Sequence, residues 1–191
     1  MSGDITTERL LLRDLRNGDA EAMFAYRSDP EIMRYQGYDP ESLNNVREFI
    51  ASLELEEPYA RGTWRQFAIT LRVNGTLIGD CGVHVPDDKP EQAEFGITLA
   101  AAFQRRGYAS EALHALLQLV FETLGKHRAF ASVDPRNAPS IALFERAGFR
   151  KEAHFVESLW LMGGWVDDVV FALLAREWRD GVQPGAKGRV T

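Results

Sequence analysis

The chain has 191 residues, which is enough for one domain with a substantial buried core. Its net charge of −6, from 22 Lys and Arg against 28 Asp and Glu, argues against a nucleic-acid-binding protein and mildly favours a cationic acceptor such as an amine. No apolar run approaches the roughly 20 residues of a membrane span. Cys81 is the only cysteine, and residues 1–5 lack the basic and apolar segments of an export signal. We therefore expect a cytoplasmic protein with no disulfide, no metal, no nucleic acid and no membrane partner.

The first third of the chain predicts one strand and several helices. Residues 7–13 predict the strand, and apolar residues at helical spacing predict helices over 20–26, 31–35 and 42–55. The region 29–62 is also rich in aromatic residues and chain breaks. It is interpreted either as a flap lining a substrate site or as two helices packed on a sheet, and these interpretations are compatible.

The rest of the chain predicts a hairpin, a central strand and helix, and a final group of strands around a second helix. Asn74-Gly75 joins two strand-like runs, and this dipeptide tolerates the positive φ angles of a tight hairpin turn. Residues 180–191 have no large hydrophobic residue apart from two valines, which indicates a loose tail after a single domain over residues 1–179. The predicted strands are 64–73, 76–85, 93–99, 129–133, 149–161 and 166–174, and the predicted helices are 110–121 and 137–147.

A short turn, residues 104–109, separates the predicted strand 93–99 from the helix that follows. A helix N-terminus has free N–H groups and the positive end of the helix dipole, so an anion can bind there. Gly107 can adopt a positive φ, and Arg105 and Arg106 add positive charge. The turn therefore predicts a pyrophosphate site, although neither a Walker loop nor a dinucleotide-binding fingerprint is present.

This turn resembles the acetyl-CoA loop of the GNAT (Gcn5-related) N-acetyltransferases, written [QR]-x-x-G-x-[GA], because it reads Gln104-x-x-Gly107-x-Ala109. So short a pattern also fits an ordinary loop before a helix. A second segment, from Asn137 to Phe149, resembles the family's N-x-x-[SA]-…-G-F motif in the expected order. The resemblance covers residues 8 to about 175.

Two further segments resemble one branch of that family, the RimJ/RimL-like ribosomal-protein N-terminal acetyltransferases. They are the opening segment, residues 7–13, and the closing segment from Asp168 to Trp178. The resemblance implies a single α/β (α+β) GNAT domain, with a mixed, mostly antiparallel sheet of about seven strands flanked by about four helices. It also implies acetyl-CoA as co-substrate, with its pyrophosphate on the turn and its pantetheine arm beside the preceding strand. The residues assigned in this way to cofactor binding are Ile97, Thr98, Leu99, Gln104, Arg105, Arg106, Gly107, Tyr108, Ala109, Ser110, Asn137, Phe144 and Arg146.

A general base is needed to deprotonate the acceptor amine. Glu94 stands ten residues before Gln104, close to where some GNAT enzymes carry a catalytic glutamate, and partial burial would raise the pKa of such a carboxyl toward neutrality. The alternative is a solvated carboxylate at a strand end. Three other residues could act instead of Glu94 as base, namely Glu157, His154 and His84.

The proton donor to the leaving thiolate departs from the common pattern, because Phe144 stands where many GNAT enzymes have Tyr. In the RimJ/RimL-like branch a serine at the position of Ser140 is implied as the acid. The alternative for Ser140 is a helix N-terminal cap, and direct attack without a dedicated acid is a third interpretation.

The leading hypothesis is an acetyl-CoA-dependent N-acetyltransferase that acts on a primary amine by direct attack. A protein N-terminal amine competes as acceptor with small molecules such as an antibiotic, a polyamine or an amino acid. A non-catalytic acyl-CoA-binding protein is the alternative from another class, supported only by Phe144. The family also makes a homodimer a candidate assembly.

Overall fold

A single mixed sheet forms the centre of the computed structural model, which describes residues 3–38, 40–55 and 57–181. Within this part of the chain the sheet has eight strands in the order β1-β2-β3-β4-β5-β6-β8-β7. The strands are β1 (Ile5–Thr6), β2 (Leu10–Asp14), β3 (Trp64–Leu71), β4 (Leu77–His84), β5 (Gln92–Leu99), β6 (Arg128–Val133), β7 (Arg150–Leu161) and β8 (Gly164–Leu174). All neighbouring strands are antiparallel except β5 and β6.

The described α-helices are α1 (Ala20–Arg27), α2 (Pro30–Met33), α3 (Leu43–Leu53), α4 (Tyr108–Gln118), α5 (Ala138–Arg146) and α6 (Ala175–Gly181). The predicted fold class is confirmed, with eight strands and six helices in the described residues instead of about seven and four. The extra strand is β1, whose two residues are too few to show a periodic pattern. Helix α6 was not predicted, and the expected tail from residue 180 overlaps its last two residues. Residues 182–191 lie outside the described part of the chain.

Helices cover both faces of the sheet. Neighbouring residues of a strand point to opposite faces, so adjacent residues of one strand contact different helices. Cys81 of β4 lies in the larger core, which α4 and α5 cover. Asp80, the preceding residue, points to the face that α1 covers, where Tyr26 Oη and Arg27 Nη2 donate hydrogen bonds to its carboxylate at 2.6 and 2.5 Å. This fully buried ion pair fixes α1 to β4, and the predicted packing of helices from the 29–62 region on the sheet is present in α2 and α3.

Helix α6 closes the far end of the larger core. Its Trp178 is buried, with its ring centroid 4.8 Å from that of His114 and 6.0 Å from that of Phe121. Trp178 Nε1 also donates a hydrogen bond to Glu122 at 3.3 Å. The described helices include none that is both long and apolar enough to cross a membrane.

Candidate active site

The parallel pair β5–β6 opens partway along its length. The two strands pair at only three positions, the last of which joins Glu94 to Phe130. Beyond it, β5 continues to Leu99, and residues 95–99 are not paired with β6. β6 meanwhile stays paired with β8 as far as Val133. The sheet therefore has a V-shaped gap whose narrow end lies at Glu94.

The turn after β5 lies at the wide end of this gap. Two of its residues have left-handed backbone conformations, Arg105 at φ 60° and Gly107 at φ 80°, and Gly107 is the N-cap of α4. Within the described residues, no backbone N–H from Arg105 to Ser110 donates to a protein acceptor, whereas Glu111 N–H donates to the Gly107 carbonyl at 3.1 Å. Unpaired N–H groups at a helix N-terminus and in a left-handed turn form an anion-binding concavity.

Charge at the turn favours an anion. Arg105 and Arg106 are exposed, and neither forms an ion pair with a described carboxylate. Gln104 Nε2 donates a hydrogen bond to the Leu99 carbonyl at 3.0 Å. Gln104 thus connects the turn to the end of β5. This hydrogen bond gives a structural reason for a glutamine at the first position of the motif.

A brace from the N-terminal segment holds the turn, and the sequence analysis missed it. Arg9 Nη1 donates to the Arg106 carbonyl at 3.0 Å, its Nε donates to Glu111 Oε2 at 2.6 Å, and its guanidinium lies 4.6 Å from the centroid of the Tyr108 ring. Thr7 Oγ1 donates to Glu111 Oε1 at 2.6 Å. Burial would raise the pKa of Glu111, but the hydrogen bonds from Thr7 and Arg9 outweigh it and lower that pKa. The sequence offered one signal for this contact. Glu111 is an acidic residue in the first turn of α4, and Arg9 is an arginine in the opening segment, residues 7–13, that resembles the family.

The second predicted motif begins α5. Asn137 is the N-cap, and its Oδ1 accepts a hydrogen bond from Ser140 N–H at 3.2 Å. The cap is therefore Asn137, and the interpretation of Ser140 as the cap is wrong. The Ser140 hydroxyl has no hydrogen-bond partner within the described residues, so it remains available. Phe144 is buried with its ring 5.2 Å from that of Phe149, while Arg146 is exposed.

Glu94 contacts His84 on the same face of the sheet. Its Oε2 lies 3.2 Å from His84 Nδ1, and the side chains of both residues are about one-fifth exposed. The His84 ring stacks on Trp64 with centroids 5.2 Å apart. Of the predicted bases, Glu94 and His84 are thus in contact at the narrow end of the gap.

His154 and Glu157 are placed elsewhere. Both lie on β7, three strands from β5 in the sheet order, which corresponds to about 14 Å at the usual spacing between strands. His154 Nε2 pairs with Asp167 Oδ2 at 2.7 Å, and Glu157 N–H donates to the same carboxylate at 2.9 Å. Neither residue joins Glu94.

The 29–62 region reaches the other side of the gap. Gln36, just after α2, accepts a hydrogen bond from Thr98 Oγ1 of β5 at 3.2 Å. Tyr35 lies beside Arg136 in the loop after β6, with the guanidinium 5.9 Å from the ring centroid. Residues 35 and 36, which belong to the region predicted as a flap lining a substrate site, therefore bridge from β5 to the β6–α5 loop.

Residues 9–150 match the family model described as "Acetyltransferase (GNAT) domain", so the chain belongs to the GNAT acetyltransferases. An uncharacterized N-acetyltransferase, p20 of Bacillus licheniformis, is 33% identical over 90% of this chain and 96% of its own. Spermidine N(1)-acetyltransferase of Vibrio cholerae is 28% identical over 83% of this chain and 89% of its own.

Among solved structures, RimJ of Mycobacterium smegmatis in complex with CoA-disulfide superposes with a TM-score of 0.78 at 25% identity. The match covers 92% of this chain and 88% of RimJ. The family predicted from the two motifs, and the likeness to its RimJ/RimL-like branch, are both confirmed.

Proposed function

We propose that this protein transfers the acetyl group of acetyl-CoA to a primary amine, by direct attack of the amine on the thioester in a ternary complex. The observation that carries the proposal is the place where β5 and β6 part. Glu94 lies at the narrow end of the gap, and an anion-binding turn lies at its wide end. A carboxylate base and a phosphate site on one strand and its following turn are what acetyl transfer from a nucleotide thioester requires.

Acetyl-CoA fits this site on three observations. Among the residues that the structure describes, the turn has N–H groups without protein acceptors and two arginines without carboxylate partners, and beside it lies a stretch of β5 that is not paired with β6. We assign the phosphates to the N–H groups of Arg106 to Ser110 and to the two arginines. The pantetheine arm, which carries amides, would lie along Ile97 to Leu99 and near Asn137 and Arg146. Phe144 is buried in the core, so its contribution is to packing.

Glu94 would take a proton from the acceptor ammonium, directly or through one water. Ser140 is the candidate donor to the leaving thiolate, because its hydroxyl has no protein partner in the described residues. The reaction needs no metal in this scheme.

We propose a protein N-terminal amine as the acceptor, supported by the likeness to the structure of a putative ribosomal-protein-serine acetyltransferase from Vibrio cholerae. A polyamine is the second candidate, and the similarity to spermidine N(1)-acetyltransferase favours it. The net charge of −6 suits either cation. We place the activity in the cytoplasm, and a homodimer remains a prediction that light scattering after size exclusion would check.

A thiol-release assay tests the proposal. Acetyl-CoA would be offered with peptides that begin with alanine or serine, with the same peptides blocked at the N-terminus, and with spermidine. We expect CoA release with the free peptides and none with the blocked ones. Release with spermidine alone would favour the second candidate. Tight acetyl-CoA binding without turnover on any amine would support the non-catalytic acyl-CoA-binding protein instead.

A further inference from the structure

We propose that His84 is a positioning residue for Glu94 and that Trp64 in turn fixes His84. The inference rests on the proposed acetyl transfer, and it names two residues of that site beyond the base itself. The three residues form one row across the sheet, because Trp64 of β3 is registered with His84 of β4, and His84 with Glu94 of β5. Directly opposite residues of neighbouring strands point to the same face and can contact.

The proposal gives the contact between His84 and Glu94 a direction. As the base, Glu94 is an ionised carboxylate and can only accept, so the proposal requires Nδ1 of His84 to carry the hydrogen between the ring and Glu94 Oε2, 3.2 Å away. The other ring nitrogen, Nε2, has no hydrogen-bond partner among the described residues. One carboxylate oxygen is thereby held toward β4, which leaves Oε1 for the acceptor.

Trp64 holds the plane of the imidazole. The two rings are stacked at an interplanar angle of 16°, with centroids 5.2 Å apart. A second observation is that glycines leave room for this indole. A Cβ built on Gly82 would lie 2.8 Å from Trp64 Cε3, and one on Gly96 would lie 3.6 Å from Trp64 Cζ3. Gly82 and Gly96 are themselves paired across β4 and β5, so the indole lies over two residues without side chains.

Gln66, two residues after Trp64 on the same face of β3, supports the same arrangement. Its Nε2 donates to the buried Asp80 carboxylate, which Arg27 also binds. Gln66 and Trp64 are the side chains that a Cβ at Gly82 would meet. The buried Arg27–Asp80 ion pair thus orders the side chains on the face of the sheet that carries Glu94. The position of His84 follows from that order.

Positioning matters because of the proton balance of the reaction. The acceptor ammonium gives one proton to the Glu94 carboxylate, its nitrogen attacks the acetyl carbon, the C–N bond forms and the C–S bond breaks. The nitrogen then loses a second proton, and the thiolate takes up one proton to leave as CoA thiol, so the protons balance. A carboxylate that is free to rotate spends less time in reach of the ammonium, and a displacement of about 1 Å can cost as much as 10²-fold in rate.

The test compares variants that differ in one hydrogen bond. His84→Ala removes the Nδ1 donor, whereas His84→Asn places an amide N–H close to the position of Nδ1. We expect kcat to fall about 10–100-fold in His84→Ala, with acetyl-CoA affinity unchanged. If that loss is large, kcat of His84→Asn should be at least tenfold higher than that of His84→Ala. If the loss is small, His84→Asn should regain most of the wild-type kcat. Trp64→Phe should likewise retain more activity than Trp64→Leu. An asparagine variant as inactive as the alanine variant would overturn the inference.

A double-variant cycle separates this inference from the base role itself. Because a positioning residue acts through Glu94, His84→Ala should add little to the loss already caused by Glu94→Gln. Equal fold losses in both backgrounds would contradict it. If Glu94→Gln is impaired and His84→Ala is not, the base role stands and the positioning role fails. Thermal unfolding midpoints of all variants control for folding.

A readout without turnover covers the case in which no tested amine is acetylated. The ¹⁵N spectrum of the histidine rings, with His84→Asn used to assign the signals, reports which nitrogen of His84 carries hydrogen. We expect Nδ1 to be protonated in the wild type and a change of tautomer population in Glu94→Ala. An Nε2–H ring in the wild type would refute the positioning contact whatever the activity assays show.

Discussion

Arg9 and Glu111 are 102 residues apart in sequence, yet Arg9 Nε donates a hydrogen bond to Glu111 Oε2 at 2.6 Å. The same guanidinium donates to the Arg106 carbonyl, so one side chain binds both the anion-binding turn and the first turn of α4. The conformation of the turn therefore depends on the segment before β2, which itself lies outside the turn. Two kinds of residue at this site can be distinguished by experiment, those that would contact the phosphates and those that hold the turn.

Glu111→Gln tests the brace through stability. The pKa of Glu111 lies below its ordinary value of 4.5, so its interactions stabilise the folded state at neutral pH. That contribution is complete above the unfolded-state pKa and is lost as the pH falls through the lower, folded-state pKa. We expect Glu111→Gln to lower the free energy of unfolding by about 1–3 kcal/mol at pH 7, and the difference to shrink below pH ~4.5. Urea unfolding at both pH values measures it, with exposed Glu145→Gln as the matched control.

Gly107→Val should weaken acetyl-CoA binding. A β-branched residue is strained at φ 80°, and a Cβ there would lie 3.3 Å from Arg9 Nη2. Gly125→Val is the matched control, because Gly125 has a φ of 62° with nothing within 4 Å of its Cβ position. Both variants should lose stability, but calorimetry should show reduced acetyl-CoA affinity only for Gly107→Val. Equal affinities in the two variants would remove the turn from the binding site.

Arg105→Ala and Arg106→Ala test the phosphate contacts. A charge-assisted hydrogen bond to phosphate contributes about 1.5–3 kcal/mol, so loss of one should weaken CoA and acetyl-CoA binding about 10- to 150-fold. The effect should shrink for a pantetheine fragment without the nucleotide. Arg61→Ala, at an exposed arginine outside the gap, provides the control. A fragment that loses as much affinity as CoA would point to a folding defect.

Glu94→Gln separates catalysis from binding. The amide keeps the shape and hydrogen bonding of the carboxyl but cannot accept the proton, so turnover should fall by roughly 10²–10⁴-fold while acetyl-CoA affinity stays near that of the wild type. The defect should lessen at high pH, where more of the acceptor amine is already neutral. A defect that is constant with pH indicates a lost substrate contact, and wild-type turnover at pH 7 excludes Glu94 as the base.

Cys81 provides a probe of folding. Its side chain is fully buried, and burial, with a smaller effect of the Asp80 charge, raises the pKa of its thiol well above the ordinary value. A buried, protonated thiol reacts slowly. We expect no labelling of the native protein by a thiol reagent over the time of an assay, and one thiol per chain in denaturant. Rapid labelling of the native protein would show that β4 opens readily.

Much of the fold could be predicted because its signals are local. The Asn74-Gly75 turn predicted the β3–β4 hairpin, and the two motifs predicted the starts of α4 and α5. The long outer strand β7 was also predicted, although most of its side chains are exposed. Helix α6 was missed because a seven-residue helix shows only two turns of periodicity, and Trp178 is its one buried residue.

The contacts within the site could be predicted less well, because they depend on the register between strands and on contacts between distant segments. Glu94 and His84 were both candidate bases, but their contact follows from the pairing of β4 with β5, which no local pattern specifies. The Arg9–Glu111 brace joins segments that the chain brings together only through the sheet. Asn137 is the cap because its Oδ1 accepts from Ser140 N–H, and the sequence alone fits either residue as the cap.

The gap between β5 and β6 also bears on how the protein should be handled. It leaves an inner strand whose main chain is not paired with β6 over residues 95–99, as in the edge strand of an open sheet. Edge strands readily pair with strands of other molecules, and an extended ligand with amide groups would block such pairing by taking the place of the missing neighbour. We expect the ligand-free chain to aggregate more readily on heating, and CoA added during purification to suppress that aggregation as well as to raise the unfolding temperature.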